Sequence, residues 1–290
     1  MPTAPLHVVA FGDPACPWDF SAEPSRLRLL WRYGDAVTIE HRMVGLSSTP
    51  DEYTARGITP DMIAGGRRML RDRYGMPMTD AVSARHVVTR VACAAVVGVR
   101  RHRPQDTPGF LRRLRVLGLT EGLPIDEAEV MARAAREAGL DPVEVAAWAA
   151  EPGTESELAA DMAAARDPLP AALAQVERLA PTPGGGQRYT CPTYVMSAGG
   201  EALVAPGFQP TRVYEVLAAN LAPHIPLRPT PTAVEELLRW APHPLSTVEV
   251  AGVMEIDVDA ARAQLTEAGA HRAGAGQDAY WWVGDTPSHG

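Results

Sequence analysis

The first apolar run, Leu6-His7-Val8-Val9-Ala10-Phe11, stops at Gly12-Asp13-Pro14 and reads as a short strand buried on both faces. A helical pattern runs from Ser21 to Tyr33, with Leu27, Leu29, Leu30 and Trp31 on its apolar side. After the turn Tyr33-Gly34-Asp35, residues Val37 to Val44 predict a second strand. Helical periodicity begins near Pro60 and covers Met62 to Tyr74 and then Ala81 to Arg101. Within it Ala92 to Val97 is apolar nearly all round, as in a buried helix. Asp126 is placed to cap a helix running through Ala138 with Gly139 as its stop, and Asp141-Pro142 opens the next one. Prolines and glycines at Pro152-Gly153, Pro168, Pro170 and 181–186 break the pattern, the last stretch reading as a flexible approach to the loop at Thr190-Cys191-Pro192. Thr193 to Met196 and Glu201 to Ala205 then predict a hairpin across Ser197-Ala198-Gly199-Gly200, with a helix from Pro210 to Leu221 after it.

Beyond this the pattern changes. Ala222 to Pro231 holds Pro223, Pro226, Pro229 and Pro231 and predicts a stiff linker, 222–231. The tail, 232–290, predicts helices over Val234 to Trp240, Ser246 to Met254 and Val258 to Gly269. A hairpin over His271 to Val283 would turn at Gly274-Ala275-Gly276. Three helices and a two-stranded wing resemble a winged-helix domain, whose usual partner is DNA. The tail carries nine acidic residues against three arginines, so it would repel phosphates. A packing or protein-contact role is expected instead.

Composition narrows the class. With 290 residues the chain can bury a large core, and 46% hydrophobic and 21% charged residues are those of a soluble globular protein. All 27 basic residues are arginine. A net charge of −8 argues against nucleic acid or an anionic membrane as the main partner. The first apolar run is too short for a signal peptide, and no stretch approaches the roughly 18–20 apolar residues of a membrane span, so a cytoplasmic protein is expected. Three cysteines, Cys16, Cys93 and Cys191, are too few for a structural disulfide framework.

The candidate chemistry sits between the first strand and the first helix. Cys16-Pro17-Trp18-Asp19 places a thiol at a helix start, where unpaired backbone N–H groups and the helix dipole stabilise a thiolate. Cysteines in that position react as nucleophiles, and Cys16 is expected to be exposed at the turn. Asp19 stands where a dithiol protein carries its second cysteine; its charge would oppose a thiolate one turn away, and it cannot resolve a mixed disulfide. Cys93 lies on an apolar helix face and reads as core, His41 as structural. No histidine or cysteine cluster has metal-ligand spacing, and no phosphate loop or nucleophile elbow is present.

The segment Asp13-Pro14-Ala15-Cys16-Pro17-Trp18, with Glu23-Pro24 and a helix after it, resembles the DsbA-like branch of the thioredoxin superfamily, its cytoplasmic members in particular. Thr190-Cys191-Pro192-Thr193 resembles that family's cis-proline loop. The resemblance covers about residues 5 to 221. It implies an α/β thioredoxin-like fold over 1–221 with a DsbA-type helical insertion at about 60–180, and beyond it the small winged-helix-like tail. It further implies that Cys16, Cys191 and Asp19 form the catalytic group, with Pro17, Trp18, Pro192 and Thr190 contacting substrate.

Three functions fit these residues. One is a cytosolic thiol-dependent oxidoreductase using Cys16, paired with Cys191, on a small-molecule or protein thiol. Another is a glutathione- or mycothiol-dependent transferase or isomerase, resembling kappa-class transferases and chromene-carboxylate isomerases, which need no resolving cysteine. The third is a non-enzymatic adaptor resembling those that deliver a protein to a protease, with the tail as contact surface. Neither a metal nor a certain cofactor is implied; glutathione or mycothiol is the candidate co-reactant.

Overall fold

The computed structural model describes residues 5–182, 184–274 and 280–284. In chain order the first elements are β1 (Leu6–Gly12), α1 (Pro17–Ser21), α2 (Glu23–Tyr33), β2 (Val37–Met43), α3 (Asp51–Ala55) and α4 (Pro60–Tyr74). Then come α5 (Thr89–His102), α6 (Thr107–Arg115), α7 (Ala128–Glu137), α8 (Pro142–Ala149), α9 (Pro152–Ala165) and α10 (Pro170–Leu173). The chain continues with β3 (Leu179–Pro181), β4 (Gln187–Tyr189), β5 (Thr193–Ala198), β6 (Glu201–Ala205) and α11 (Thr211–Leu221). The tail supplies α12 (Val234–Trp240), β7 (Leu245–Ser246), α13 (Thr247–Met254), α14 (Val258–Glu267), β8 (His271–Ala273) and β9 (Tyr280–Trp282).

The described residues form two compact units. The first contains residues 5–11, 21–41 and 166–284, and the second residues 12–20 and 42–165. The first unit is built on a sheet of order β2-β1-β5-β6. β1 and β5 run antiparallel with Val9 opposite Val195, and β5 and β6 antiparallel with Met196 opposite Leu203. Leu6, Val8, Tyr194 and Met196 from the sheet pack with Leu29 and Tyr33 of α2 and Tyr214 and Ala218 of α11 in one apolar core. The second unit is helical and closes over Cys93, Val96, Phe110, Leu114, Leu117 and Leu158.

Helix α2 carries a second core on its other side. Leu27 and Trp31 pack with Val234, Leu237, Leu245, Val250 and Trp281 of the tail. Ser246 caps α13, its hydroxyl accepting from the Glu249 N–H while the Glu249 carboxylate accepts from the Ser246 N–H, a reciprocal capping box. Arg28, 4% exposed, ties α2 to α11 through Glu215 (2.5 Å) and to the end of α13 through the Val253 carbonyl (3.0 Å) and Glu255 (2.8 Å). The proline-rich segment 222–231 runs bound along the same helix. Trp31 Nε1–H donates to Pro229 O at 2.8 Å, Arg228 N–H donates to Arg32 O at 2.8 Å, and the Arg228 guanidinium lies 3.3 Å from the Trp31 ring centre.

Three sequence expectations give way to local chemistry. The helix expected over Ser21 to Tyr33 is interrupted at Ala22, because Pro24 in the first turn of α2 has no N–H to continue the ladder from α1. Residues 81–88 are not helical. Their backbone groups are taken by side chains, with Ala81 O accepting from Arg67 (2.5 Å) and the Val88 N–H donating to Asp126 (2.9 Å). Asp126 is therefore no helix cap; it grips Arg85 at 2.6 and 2.9 Å, and α7 starts after Glu127. Leu179–Pro181 and Gln187–Tyr189 also pair as a small hairpin that the sequence did not predict, with Ala180 of β3 opposite Arg188 of β4. The tail hairpin is seen as β8 and β9, with β9 also pairing β7; Ala275 and Gly276 of its expected turn lie outside the described residues.

Candidate active site

Cys16 ends the loop from β1 and precedes α1. Its N–H donates to Asp13 O at 3.1 Å, and the Phe20 N–H donates to Cys16 O at 3.1 Å, closing the first helical turn over the cysteine. Pro17 occupies the first position of α1, where a missing N–H costs nothing. The sulfur-bearing residue is only 5% exposed, so the turn does not present Cys16 openly to solvent as expected; the tight Asp13 to Cys16 turn folds it inward. Trp18 is half-buried, and its ring centre lies 5.9 Å from that of Tyr74 on α4.

Asp19 points into the unit rather than to water. It is 1% exposed, and its Oδ2 accepts the Asp13 N–H at 3.2 Å and the Arg115 guanidinium in a short ion pair. Arg115, at the end of α6, is also 1% exposed. Gly12 is required beside this pair, because a Cβ there would sit 2.0 Å from Asp19 Oδ2 and 3.4 Å from the Arg115 guanidinium. The opposing charge expected from Asp19 is thus met by a cation within bonding distance.

Asp13 is the other organising group. Its carboxylate accepts Ala15 N–H (2.9 Å), Leu46 N–H (2.9 Å) and the Cys93 thiol (3.5 Å). Burial pushes the Asp13 carboxyl above its ordinary value, against the pull of these hydrogen bonds. Burial, and after it the neighbouring Asp13, pushes the Cys93 thiol well up, which suits a core cysteine rather than a nucleophile.

The remaining expected site residues lie in the sheet unit. The Cys191–Pro192 peptide bond is cis. Cys191 is 7% exposed, and Pro192 is buried. The loop is pinned by hydroxyls. Thr190 Oγ1 donates to Arg178 O at 2.7 Å, Thr193 Oγ1 donates to Thr190 O at 2.7 Å, and the Gly207 N–H donates to Thr193 Oγ1 at 3.0 Å. Cys16, Pro17, Trp18 and Asp19 are therefore brought together in the helical unit, and Thr190, Cys191 and Pro192 in the sheet unit. None of the three cysteines is joined in a disulfide. His41 is buried. Among the described residues no three potential ligands gather to hold a metal ion, and no helix is long and apolar enough to cross a membrane.

Sequence reasoning missed Arg115 and the buried role of Asp13. One signal for Arg115 was available. It stands four residues after Leu111 and so shares its apolar helix face, where a cation requires a buried counter-charge.

The chain has the thioredoxin-like fold of DsbA-type proteins, with a helical insertion between the two halves of its sheet. Solved structures that share it include the following two. A candidate protein disulfide isomerase from Nitrosomonas europaea superposes with a TM-score of 0.59 at 15% identity, covering 74% of this chain and 97% of its own. A candidate DsbA oxidoreductase from Streptomyces coelicolor gives 0.55 at 19% identity, covering 78% of this chain and 94% of its own. No family model matches the sequence, and no curated protein does.

Proposed function

We propose that the protein is a thiol-dependent oxidoreductase acting through Cys16. The observation that carries this reading is the placement of Cys16 at the start of α1 in a DsbA-type fold, its N–H fixed to Asp13 O and Asp19 held in an ion pair. In the reaction the Cys16 thiolate attacks one sulfur of a disulfide. A Cys16–substrate disulfide forms, and the other half leaves as a thiolate. Asp19 has no sulfur to complete the exchange, so a second thiolate must come from elsewhere. If Cys191 attacks, substrate leaves as a thiolate, and the resulting Cys16–Cys191 disulfide is reduced by two molecules of glutathione or mycothiol. If the small thiol attacks directly, it leaves joined to the substrate and Cys16 is regenerated.

The burial of Asp19 with Arg115 favours a second reading, a glutathione- or mycothiol-dependent transferase or isomerase with a single catalytic cysteine. Pro17, Trp18, Thr190 and Pro192 are proposed to flank the substrate in either case. A reducing compartment such as the cytoplasm suits an odd set of three cysteines. We read 1–221 as the catalytic domain, 222–231 as its connector and 232–290 as a winged-helix-like module for protein contact, which net charge disfavours for nucleic acid.

The test is turnover of a mixed disulfide with glutathione or mycothiol as reductant. Cys16→Ser should abolish it. Cys191→Ser should also abolish it if Cys191 resolves the intermediate, and leave it intact if the small thiol does. Full activity in Cys16→Ser would reject Cys16 as the nucleophile, and no turnover in the parent would favour the adaptor.

A further inference from the structure

We infer that the first unit carries a further binding site: a cavity walled by α2, α11 and the end of α13 takes a small organic acid, whose one oxyanion group is held by the Arg32 and Arg212 guanidiniums and the Tyr33 hydroxyl. The oxyanion is a carboxylate or a phosphate, and the rest of the ligand is apolar. No cysteine lines the cavity, and the site does not depend on the reading of Cys16 as nucleophile.

The cavity has a volume of about 610 Å³, within the range of small-molecule sites, and is lined by residues of the first unit. Three arginines and two glutamates line it, which leaves one positive charge in excess in a chain of net charge −8. Arg28, 4% exposed, binds both carboxylates, Glu215 at 2.5 Å and Glu255 at 2.8 Å. Arg32 stands four residues after Arg28 on the same face of α2, where like charges repel. Among the described residues neither Arg32 nor Arg212 is held in an ion pair; Arg32 acts on Glu255 only through space. Two guanidiniums that line one cavity without bonded counter-charges are donors for an oxyanion. The planar fork of arginine fits carboxylate and phosphate oxygens in pairs.

Tyr33 adds a third donor. It is 6% exposed, packs in the sheet core and lines the cavity. Among the described residues its hydroxyl has no hydrogen-bond partner, whereas a tyrosine hydroxyl so deeply placed ordinarily finds one. Burial raises its pKa, so at neutral pH the hydroxyl keeps its proton and donates. Val216 and Leu227, 50% and 40% exposed, line the cavity as well and give the apolar body of the ligand a surface to rest on.

The test is isothermal titration calorimetry of the reduced full-length protein with phenyl phosphate, benzoate and neutral benzamide, which share one apolar ring. At least one of the two acids should bind one per chain with a dissociation constant of roughly 1 mM or lower, and benzamide at least about tenfold more weakly. Tighter binding of phenyl phosphate assigns the oxyanion as phosphate; tighter binding of benzoate assigns it as carboxylate. Arg32→Gln should weaken the tighter acid roughly tenfold, and Arg212→Gln and Tyr33→Phe roughly threefold each. Arg136→Gln, which removes an exposed guanidinium outside the cavity lining, and Cys16→Ser should both bind as the parent does. Arg212 is exposed, so its variant keeps the test open if Arg32→Gln does not fold. Binding of neither acid, equal binding of benzamide, or unchanged binding in both Arg32→Gln and Arg212→Gln would overturn the inference. So would a loss in Arg136→Gln as large as in Arg212→Gln, or a loss in Cys16→Ser, which would place the acids at the thiol instead. Retained binding in Cys16→Ser with no turnover in the parent would keep this site and sink the proposed function.

Discussion

Asp13 shows how one side chain can hold a loop and carry an unfavourable charge at once. Its carboxylate receives two backbone N–H groups and a thiol, yet burial raises its pKa above the ordinary carboxylate value. A folded-state pKa raised above the unfolded one means that the protonated form gains from folding. That stabilisation is complete below the unfolded pKa of about 4 and is lost as pH rises through the folded value. Asp13→Asn cannot ionise and should not show this loss. The expected outcome is that the variant gains on the parent between pH 4 and pH 7 in urea midpoint, whichever is more stable at pH 4. A gap that stays constant, or opens in the parent's favour with rising pH, would contradict it. The loop residues Asp13, Cys16 and Pro17 were legible in the sequence because their spacing fits a strand–turn–helix. The buried ion pair was not, since its two members stand 96 residues apart on different helices.

At the scale of the element, α2 is the informative case. Its sequence shows one apolar side, but the helix is covered on two. Leu29 and Tyr33 enter the sheet core, while Leu27 and Trp31 enter the core shared with the tail. Arg26 and Arg28 are buried as well, paired with Glu23 and with Glu215 and Glu255. A periodicity analysis cannot see this, because arginines count as polar until their partners are known. The Trp31 indole both fills the second core and fixes the proline-rich segment through Pro229 and Arg228. Trp31→Ala should therefore destabilise the protein by about 3–5 kcal/mol in a urea titration. Trp31→Phe, which keeps most of the volume and loses the Pro229 hydrogen bond, should cost a smaller part of that. Equal losses for the two would assign the effect to the hydrogen bond and not to packing.

At the scale of the molecule, the elements of the main sheet and the helices flanking it were readable, while α3, α10 and the β3–β4 hairpin were not. Short strands and hairpin glycines leave strong local signals, and β5 and β6 fall where alternation placed them, with Gly199 and Gly200 at positive φ in the turn. What could not be read was the relation of the tail to the sheet. A run of four prolines suggests a spacer, yet Ala222 and Ile225 are buried and the segment is bonded to α2. A chain truncated after Ala222 should therefore expose Leu27 and Trp31. It is expected to bind a hydrophobic dye and to melt well below the full chain, whereas an independent tail would leave the melting temperature of the rest unchanged.

The same helix sets a clock on synthesis. Arg28 bonds to the carbonyl of Val253, 225 residues further on, and Trp31 to that of Pro229, 198 residues further on. At a translation rate of roughly 5–20 residues per second, the far side of α2 waits on the order of ten to forty seconds after leaving the ribosome before its partners exist. During that interval a tryptophan, a leucine and an arginine lie open on a nascent chain, a surface of the kind that chaperones hold and that neighbouring nascent chains can join.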